Sequence, residues 1–279
     1  MKKCRKLLLT ALVFAVLSIG IFGTASTVSA AAKNGWVTSK GSRYYYVNGK
    51  KQTGLLKPSV SGESYYYYLD PKKSGAAVKN QIVTLNKKKY YFDSSYHLVR
   101  NSHSVRVGSN YYYASSTGQL KKVSLVEYYA GYRLDKCGSI RNAFLWSANL
   151  KYVGSLPANY KTPANYAFYG FVKGAGDCKV QAATFYYMAK AAGFNAKYKS
   201  GYVTNRTMTA KPNVHAWVQI TTKAGANYVF DPNFVSYVQT NLRVTYAKAV
   251  QLSYNFPYTA YRDKQHLVYC SAPGIPILK

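Results

Sequence analysis

Cys178, His215 and Asp231 are the residues of this sequence whose types and spacing could share one covalent reaction. Gly174-Ala175-Gly176 breaks the chain just before Asp177-Cys178. Aspartate suits an N-cap, and residues 178–192 are rich in alanine and aromatics. A helix is therefore predicted to start at the cysteine and to close at Gly193. Unpaired N–H groups in a first helical turn favour the thiolate over the thiol. His215 lies in 213–221, which alternates as a strand, and 227–231 reads as the next strand, stopped by Pro232. A turn centred on Lys223, within Thr222-Lys223-Ala224-Gly225, would oppose His215 and Asp231 directly and place both on one face. One carboxylate facing one imidazole is the orienting pair that a thiol nucleophile needs. Taken singly, a cysteine is more often a small buried hydrophobe, and a strand histidine is more often packed. Together the three point to Cys178 as nucleophile, His215 as base and Asp231 as orienting acid.

The elements that must hold these residues are helices in front and strands behind. Residues 139–153 carry apolar side chains at helical spacing, and Thr162-Pro163 has the form of a helix start. Gly176-Asp177-Cys178, Ala182-Ala183, Gly193-Phe194-Asn195-Ala196, Ser200-Gly201-Tyr202, His215-Ala216-Trp217 and Tyr228-Val229-Phe230-Asp231-Pro232 follow in that order. This series resembles the bacterial transglutaminase-like domain over roughly residues 140–236. The resemblance implies a papain-like α+β core, with the cysteine at a helix N-terminus and the histidine and aspartate on adjacent strands. Tyr186 and Tyr187 depart from it, because aliphatic residues are common at those mid-helix positions. The chemistry implied is attack of the thiolate on an amide carbonyl to give a thioester. Water would then complete hydrolysis, or an amine would complete transfer, and the residues do not choose between them. The backbone N–H of Cys178 is the default oxyanion donor, and no side chain stands out as the second. No metal or other cofactor is called for.

The front of the chain differs. Tyrosine runs recur at 44–46, 65–68, 90–92 (ending in Phe92) and 111–113. Their spacing is that of a repeat array. In the first unit, 44–47 reads as a strand, Asn48-Gly49 as a tight hairpin turn, and 50–53 as the return strand ended by Gly54. One such hairpin cannot bury enough surface to stand alone, so stacked copies are expected. Gly35-Trp36, Gly41-Ser42-Arg43-Tyr44-Tyr45-Tyr46, Asn48-Gly49 and Thr53-Gly54-Leu55-Leu56 resemble the cell-wall-binding repeats of choline-binding modules. In that family aromatic cages hold choline by cation–π attraction. The wall-ligand residues this implies are Trp36, Tyr44, Tyr45, Tyr46, Tyr66, Tyr67, Tyr91 and Tyr112. The alternative is that the tyrosines only pack the hairpins. Trp36 is the sole tryptophan of the region, where the family has several, which weakens the case for choline itself.

Composition narrows the classes further. The chain has 38 Lys plus Arg against 8 Asp plus Glu, a formal charge of +30. So few acids argue against calcium cages, two-metal sites and carboxylate-pair glycosidases. Lys2, Lys3, Arg5 and Lys6 precede an apolar run, and Val28-Ser29-Ala30 closes a small-residue stretch. That is the pattern of a secretory signal cleaved after Ala30, leaving no stable membrane span. Export makes nucleic acid an improbable partner for this cationic surface. Anionic polymers of the envelope (teichoic acid, peptidoglycan or another anionic glycan) fit it better, besides a protein or peptide substrate.

The expected organisation is a signal at 1–30, tyrosine-rich β-hairpin repeats at 31–125 and a transglutaminase-like catalytic domain at 126–279, secreted and cell-wall associated. The fold class is α+β, a papain-like transglutaminase core behind a hairpin array. If Cys178 stays free for catalysis, the disulfide left open in the processed chain is Cys137–Cys270. The competing reading is a non-enzymatic, wall-binding adhesive protein on the same scaffold.

Overall fold

The computed structural model describes residues 32–58, 64–205, 213–235, 259–263 and 266–268. The segment read as a secretory signal and Cys270 lie outside the described residues.

Each tyrosine run becomes or enters a strand, because tyrosine fills a pleated, half-buried surface well. Strands β1 (Gly35–Ser39), β2 (Ser42–Val47) and β3 (Lys50–Lys51) form the first antiparallel unit. Its turns are tight because Lys40-Gly41 and Asn48-Gly49 all take positive φ, the backbone of a two-residue hairpin whose twist matches its strands. The return strand is shorter than the sequence suggests. Gly54 at φ 86° turns the chain away, and β4 (Gly54–Leu56) pairs instead with β5 (Tyr67–Asp70) of the next unit. A 3-10 turn over Pro71–Lys73 leads to β6 (Ala76–Ala77), which returns onto β5. Hairpin β7 (Gln81–Leu85) with β8 (Lys88–Phe92) follows. The array ends in β9 (Ser102–Val107), β10 (Asn110–Ala114) and β11 (Leu120–Val123). Successive units are stitched by backbone bonds, Leu98 N–H to Tyr66 C=O at 2.8 Å and Val99 N–H to Tyr91 C=O at 2.9 Å. Leu69 and Phe92 are fully buried between them.

The second half opens with a helix that the hydrophobic spacing does not announce. Helix α1 (Leu125–Cys137) starts in a capping box: the Ser124 hydroxyl accepts from Glu127 N–H, and Glu127 Oε2 accepts from Ser124 N–H at 2.8 Å. Helix α1 lies directly on β9. A Cβ on Gly131 would come within 2.0 Å of the His103 carbonyl oxygen, so no other residue fits there without separating the two elements. Asp135 Oδ1 meets His103 Nδ1 at 2.6 Å, and Tyr113 donates to the Glu127 carbonyl at 2.7 Å.

Helix α2 (Ile140–Ala148) stops earlier than the apolar spacing over 139–153 implies. Asn149 ends it, and β12 (Lys151–Tyr152) pairs in parallel with β13 (Ala175–Gly176). Helix α3 (Pro163–Lys173) is capped by Thr162 with proline in its first turn, as predicted. Helix α4 (Cys178–Ala191) then crosses an antiparallel sheet of order β16-β15-β14-β17-β18. These strands are β14 (Ala196–Asn205), β15 (Asn213–Thr221), β16 (Asn227–Phe230), β17 (Thr259–Asp263) and β18 (His266–Val268). Ala182, Phe185 and Ala189 of α4 pack on Ala216, Val218 and Ile220 of β15 and on Phe230 of β16. The opposite side of α4, with Ala183 and Met188, packs on α1 and α3. The molecule is thus an α+β chain in which a hairpin array leads into a helix-on-sheet core.

Candidate active site

Helix α4 begins at Cys178 because Asp177 caps it. Asp177 Oδ1 accepts from Lys179 N–H at 2.9 Å and from Val180 N–H at 3.2 Å. Gly176 makes this start possible: a Cβ there would lie 2.2 Å from the Val180 Cβ. The cap takes up the N–H groups of the second and third helical residues and leaves that of Cys178 itself. The Cys178 side chain is half-buried.

His215 arrives from β15, and Asp231 sits one residue past the end of β16. His215 Nε2 meets Asp231 Oδ2 at 2.7 Å, with Asp231 fully buried and His215 6% exposed. The other Asp231 oxygen accepts from Phe234 N–H at 3.3 Å, which fixes the carboxylate from behind. Cys178 lies close enough to His215 to act on the charge of its ring. With Nε2 held by Asp231, Nδ1 is the ring atom left to face the sulfur. Burial works against a charged ring here. The Asp231 carboxylate outweighs it, together with its hydrogen bond to the ring and the nearby Cys178, and pushes the imidazolium pKa up to about 10.

The pairing differs from the sequence expectation in register. Val218 lies opposite Phe230 and Gln219 opposite Val229, so Asp231 falls opposite Trp217, two residues from His215. The reason is the loop. Gly225 takes φ 84° and donates to the Thr222 carbonyl, and Thr222 N–H bonds Ala226 C=O, which is a three-residue turn ending in a bulge. The turn therefore centres on Ala224 rather than Lys223. A slip of one would have sent the carboxylate to the other face; a slip of two keeps the faces matched and makes the contact diagonal.

Sequence reasoning missed two residues at this arrangement, of which Gln181 braces it. Gln181 is buried; its amide N–H donates to the Ala148 and Leu150 carbonyls at 3.2 and 3.4 Å, and its oxygen accepts from Asn233 Nδ2 at 2.7 Å. It thereby ties α4, one turn past Cys178, to the turn that carries Asp231. A glutamine three residues after a helix-start cysteine, on the buried side of α4, was the available signal. Tyr198 of β14 is the other. Burial raises its phenol pKa, and the charges of Cys178, Tyr166 and Asp177 raise it further.

Among the described residues, no group of three or more His, Cys, Asp or Glu could hold a metal. No helix there is long and apolar enough to cross a membrane.

Residues 124–232 match the family model of the transglutaminase-like superfamily. The match is less than half of the chain, and it runs from the α1 cap to the residue after Asp231. The transglutaminase-like segment thus contains Cys178, His215 and Asp231 in one contiguous stretch. No curated protein matches the chain. Many solved structures are similar to its front region, among them three choline-binding proteins or domains. A choline-binding domain from Streptococcus pneumoniae is 26% identical, covers 33% of this chain and 99% of that one, with TM-score 0.28. Choline binding protein F of the same species is 27% identical over 32% of this chain and 31% of that one, with TM-score 0.27. A pneumococcal cell-wall endolysin of phage Cp-1, complexed with choline, is 22% identical over 33% of this chain and 26% of that one, with TM-score 0.27. The chain therefore spans under a third of the length of the last two.

The wall-ligand candidates ahead of the transglutaminase-like segment fall into two sets. Tyr45, Tyr67 and Tyr112 are buried, and Tyr91 packs in the cluster around Val105 and Tyr112. Trp36, Tyr44, Tyr46 and Tyr66 are half-buried, and the chain covers each with its own cation. Arg43 lies 4.0 Å over Trp36, Lys51 4.0 Å over Tyr44, Lys33 5.8 Å over Tyr46, and Arg100 5.1 Å over Tyr66.

Proposed function

We propose that this chain is an exported, envelope-associated cysteine enzyme that cleaves or transfers amide bonds at Cys178. The observation that carries the proposal is the buried His215–Asp231 pair, with Cys178 beside it at the start of α4. His215 takes the thiol proton, and the thiolate adds to an amide carbonyl carbon. The Cys178 backbone N–H, which the Asp177 cap leaves unused, is the oxyanion donor. The C–N bond breaks as the imidazolium gives its proton to the departing amine, leaving a thioester on the sulfur. Water or a second amine then attacks the thioester, His215 accepts its proton, and the Cys178 thiolate is released. Asp231 keeps the ring oriented and stabilises its charged form. In this reading 1–30 is the leader, 31–125 retains the protein on an envelope polymer, and 126–279 does the chemistry, with the substrate an amide-bearing protein or peptide.

The test is peptide-mapped labelling with a thiol-directed probe at neutral pH, followed by screening amide and amine-acceptor peptides for turnover. Cys178 should label rapidly, and His215→Ala should slow the labelling. Cys137 is the internal comparison, because burial raises its thiol pKa even with Arg133 nearby. Equal labelling of Cys137 and Cys178, with turnover undiminished in Cys178→Ala, would remove the thiol mechanism and leave the adhesive reading.

A further inference from the structure

The front array encloses one arginine in rings. The Arg43 guanidinium lies 4.0 Å from the ring centroid of Trp36, 5.9 Å from that of Tyr67 and 5.7 Å from that of Tyr96. These rings come from three successive units: Trp36 on β1, Tyr67 on β5 and Tyr96 in the turn after β8. Trp36 and Tyr67 also pack on each other, with centroids 4.7 Å apart. The position a free organic cation would take in this cluster is filled by a covalently tethered one. A tethered group competes at an effective concentration in the millimolar range or above, so a dilute free cation is at a disadvantage there.

Ring stacking uses the faces of a guanidinium and leaves its in-plane N–H groups free to donate. The Arg43 guanidinium makes no hydrogen bond or ion pair to any described residue. It borders a cleft of about 240 Å³ whose lining includes Ser42, Lys73, Lys79, Gln81 and Tyr96. Lys79 stands 5.2 Å over the other contact ring, Tyr96. Among the described residues, no carboxylate lines the cleft. The two nearest acids in sequence are committed to their own turns: Asp70 Oδ1 accepts from Lys72 N–H, and Asp93 Oδ1 accepts from Ser95 and His97 N–H. Three cations from three separate elements thus border one small cleft without a counter-ion among the described residues.

We propose that this cleft is the polymer site of the array and that it takes the phosphodiester group of a polyol-phosphate chain, not a quaternary ammonium. A tetrahedral phosphate offers acceptor oxygens in several directions, which suits donors arriving from β2, from the Pro71–Lys73 turn and from the turn before β7. A planar carboxylate offers two oxygens in one plane and satisfies the Arg43 fork alone. The volume is below the roughly 300–1,000 Å³ of drug-sized sites, which fits one repeating unit of a polymer. The inference rests on the proposed wall-retaining role of the array and names its ligand chemistry.

The experiment measures binding of the full chain to a lipid-free glycerol-phosphate oligomer, a polyglutamate oligomer of matched charge, and choline. The glycerol-phosphate oligomer should bind best. With three contacts its affinity should fall about 20-fold between 50 and 200 mM salt, by analogy with single-stranded polyanions. Arg43→Gln should weaken it about 10-fold or more, since a charge-assisted fork is lost. Arg43→Lys keeps the charge without the fork and should fall between. Lys73→Gln and Lys79→Gln should each cost a few-fold, and Lys121→Gln with Lys122→Gln, on β11, should cost nothing. Near-ultraviolet circular dichroism reports whether the ring cluster survives, and Arg43→Lys decides the matter if Arg43→Gln unfolds. Unchanged affinity in a folded Arg43 variant, equal binding of polyglutamate, or displacement of the oligomer by millimolar choline would each overturn the proposal. Oligomer binding without retention on washed walls would instead defeat the wall-retaining role and leave the cleft standing.

Discussion

The two halves of the molecule use aromatic residues in opposite ways. In the array, rings face the chain's own lysines and arginines, as Tyr44 faces Lys51 and Trp36 faces Arg43. Behind it, Phe144, Phe185 and Phe230 meet one another edge-on or tilted, with centroids 5.1 to 6.1 Å apart, in a core that is wholly buried. The first arrangement leaves charge at the surface and spends little burial per unit. The second excludes water and holds His215 against Asp231, with Cys178 beside them at the start of α4. In the proposed reading the array meets a polymer, and the helix-on-sheet half keeps three side chains still.

The sharpest way to break that contrast is to compare turnover. Cys178→Ala should abolish it, His215→Ala should be nearly as severe, and Asp231→Asn should cost less than the roughly 10⁴-fold seen for the equivalent change in a serine triad, because a thiol needs less activation. The double change Cys178→Ala with His215→Ala should be no worse than the first alone. Tyr44→Ala, in the array, should leave kcat/KM on a soluble peptide unchanged; a large loss there would mean that the two halves do not divide the work.

Stability gives the next largest difference. Phe185→Ala should cost about 3–5 kcal/mol, read by urea unfolding, because it opens a cavity in a close-packed core. Tyr44→Ala should cost about 1 kcal/mol or less, the scale of an exposed cation–π contact. Near-equal losses would erase the distinction.

A third measurement follows the His215–Asp231 pair. The folded pKa of His215, about 10, stands above the ordinary 6.5 of an unfolded chain, so the pair's stabilisation is fully present below pH 6.5 and is lost as pH rises through 10. The Tm of the wild type should therefore fall more steeply between pH 7 and 10.5 than that of His215→Gln. Parallel curves would sink the charged-pair description. A similarly small effect belongs to the junction between the halves: Ser124→Ala should cost about 1 kcal/mol through loss of one partner of the capping box, seen as a small drop in midpoint with unchanged urea dependence.

Much of the site is legible in the sequence because its signals are short-range. Asp177 before Cys178 marks a cap within three residues, and alternation around His215 marks a strand within nine. The register of the hairpin is not legible at that range. It depends on whether Gly225 forms a bulge, and parity rescued the shared face. Helix α1 was missed although Ser124-Leu125-Val126-Glu127 carries a capping-box pattern, because tyrosines dilute its apolar face and it follows directly on a tyrosine-rich array. The Arg43 cluster is illegible for a different reason. Its rings are separated by up to sixty positions along the chain, from Trp36 to Tyr96, and only the stacking of units brings them together.

The junction at Ser124 carries a mechanical consequence. β11 ends at Val123 and α1 begins at Leu125, so a single residue separates the halves, and Gly131 seats α1 against β9. A flexible linker would let a tethered enzyme sweep a cloud of positions whose radius grows with the square root of linker length. Here there is no such leash. Whatever the array grips, the sulfur of Cys178 is carried at a set distance and bearing from it, so the bonds within reach form a narrow shell around each point of attachment. If the array holds a polymer as proposed, the whole molecule must let go and bind again to sample a new stretch of substrate, which ties the frequency of productive encounters to how quickly the array releases.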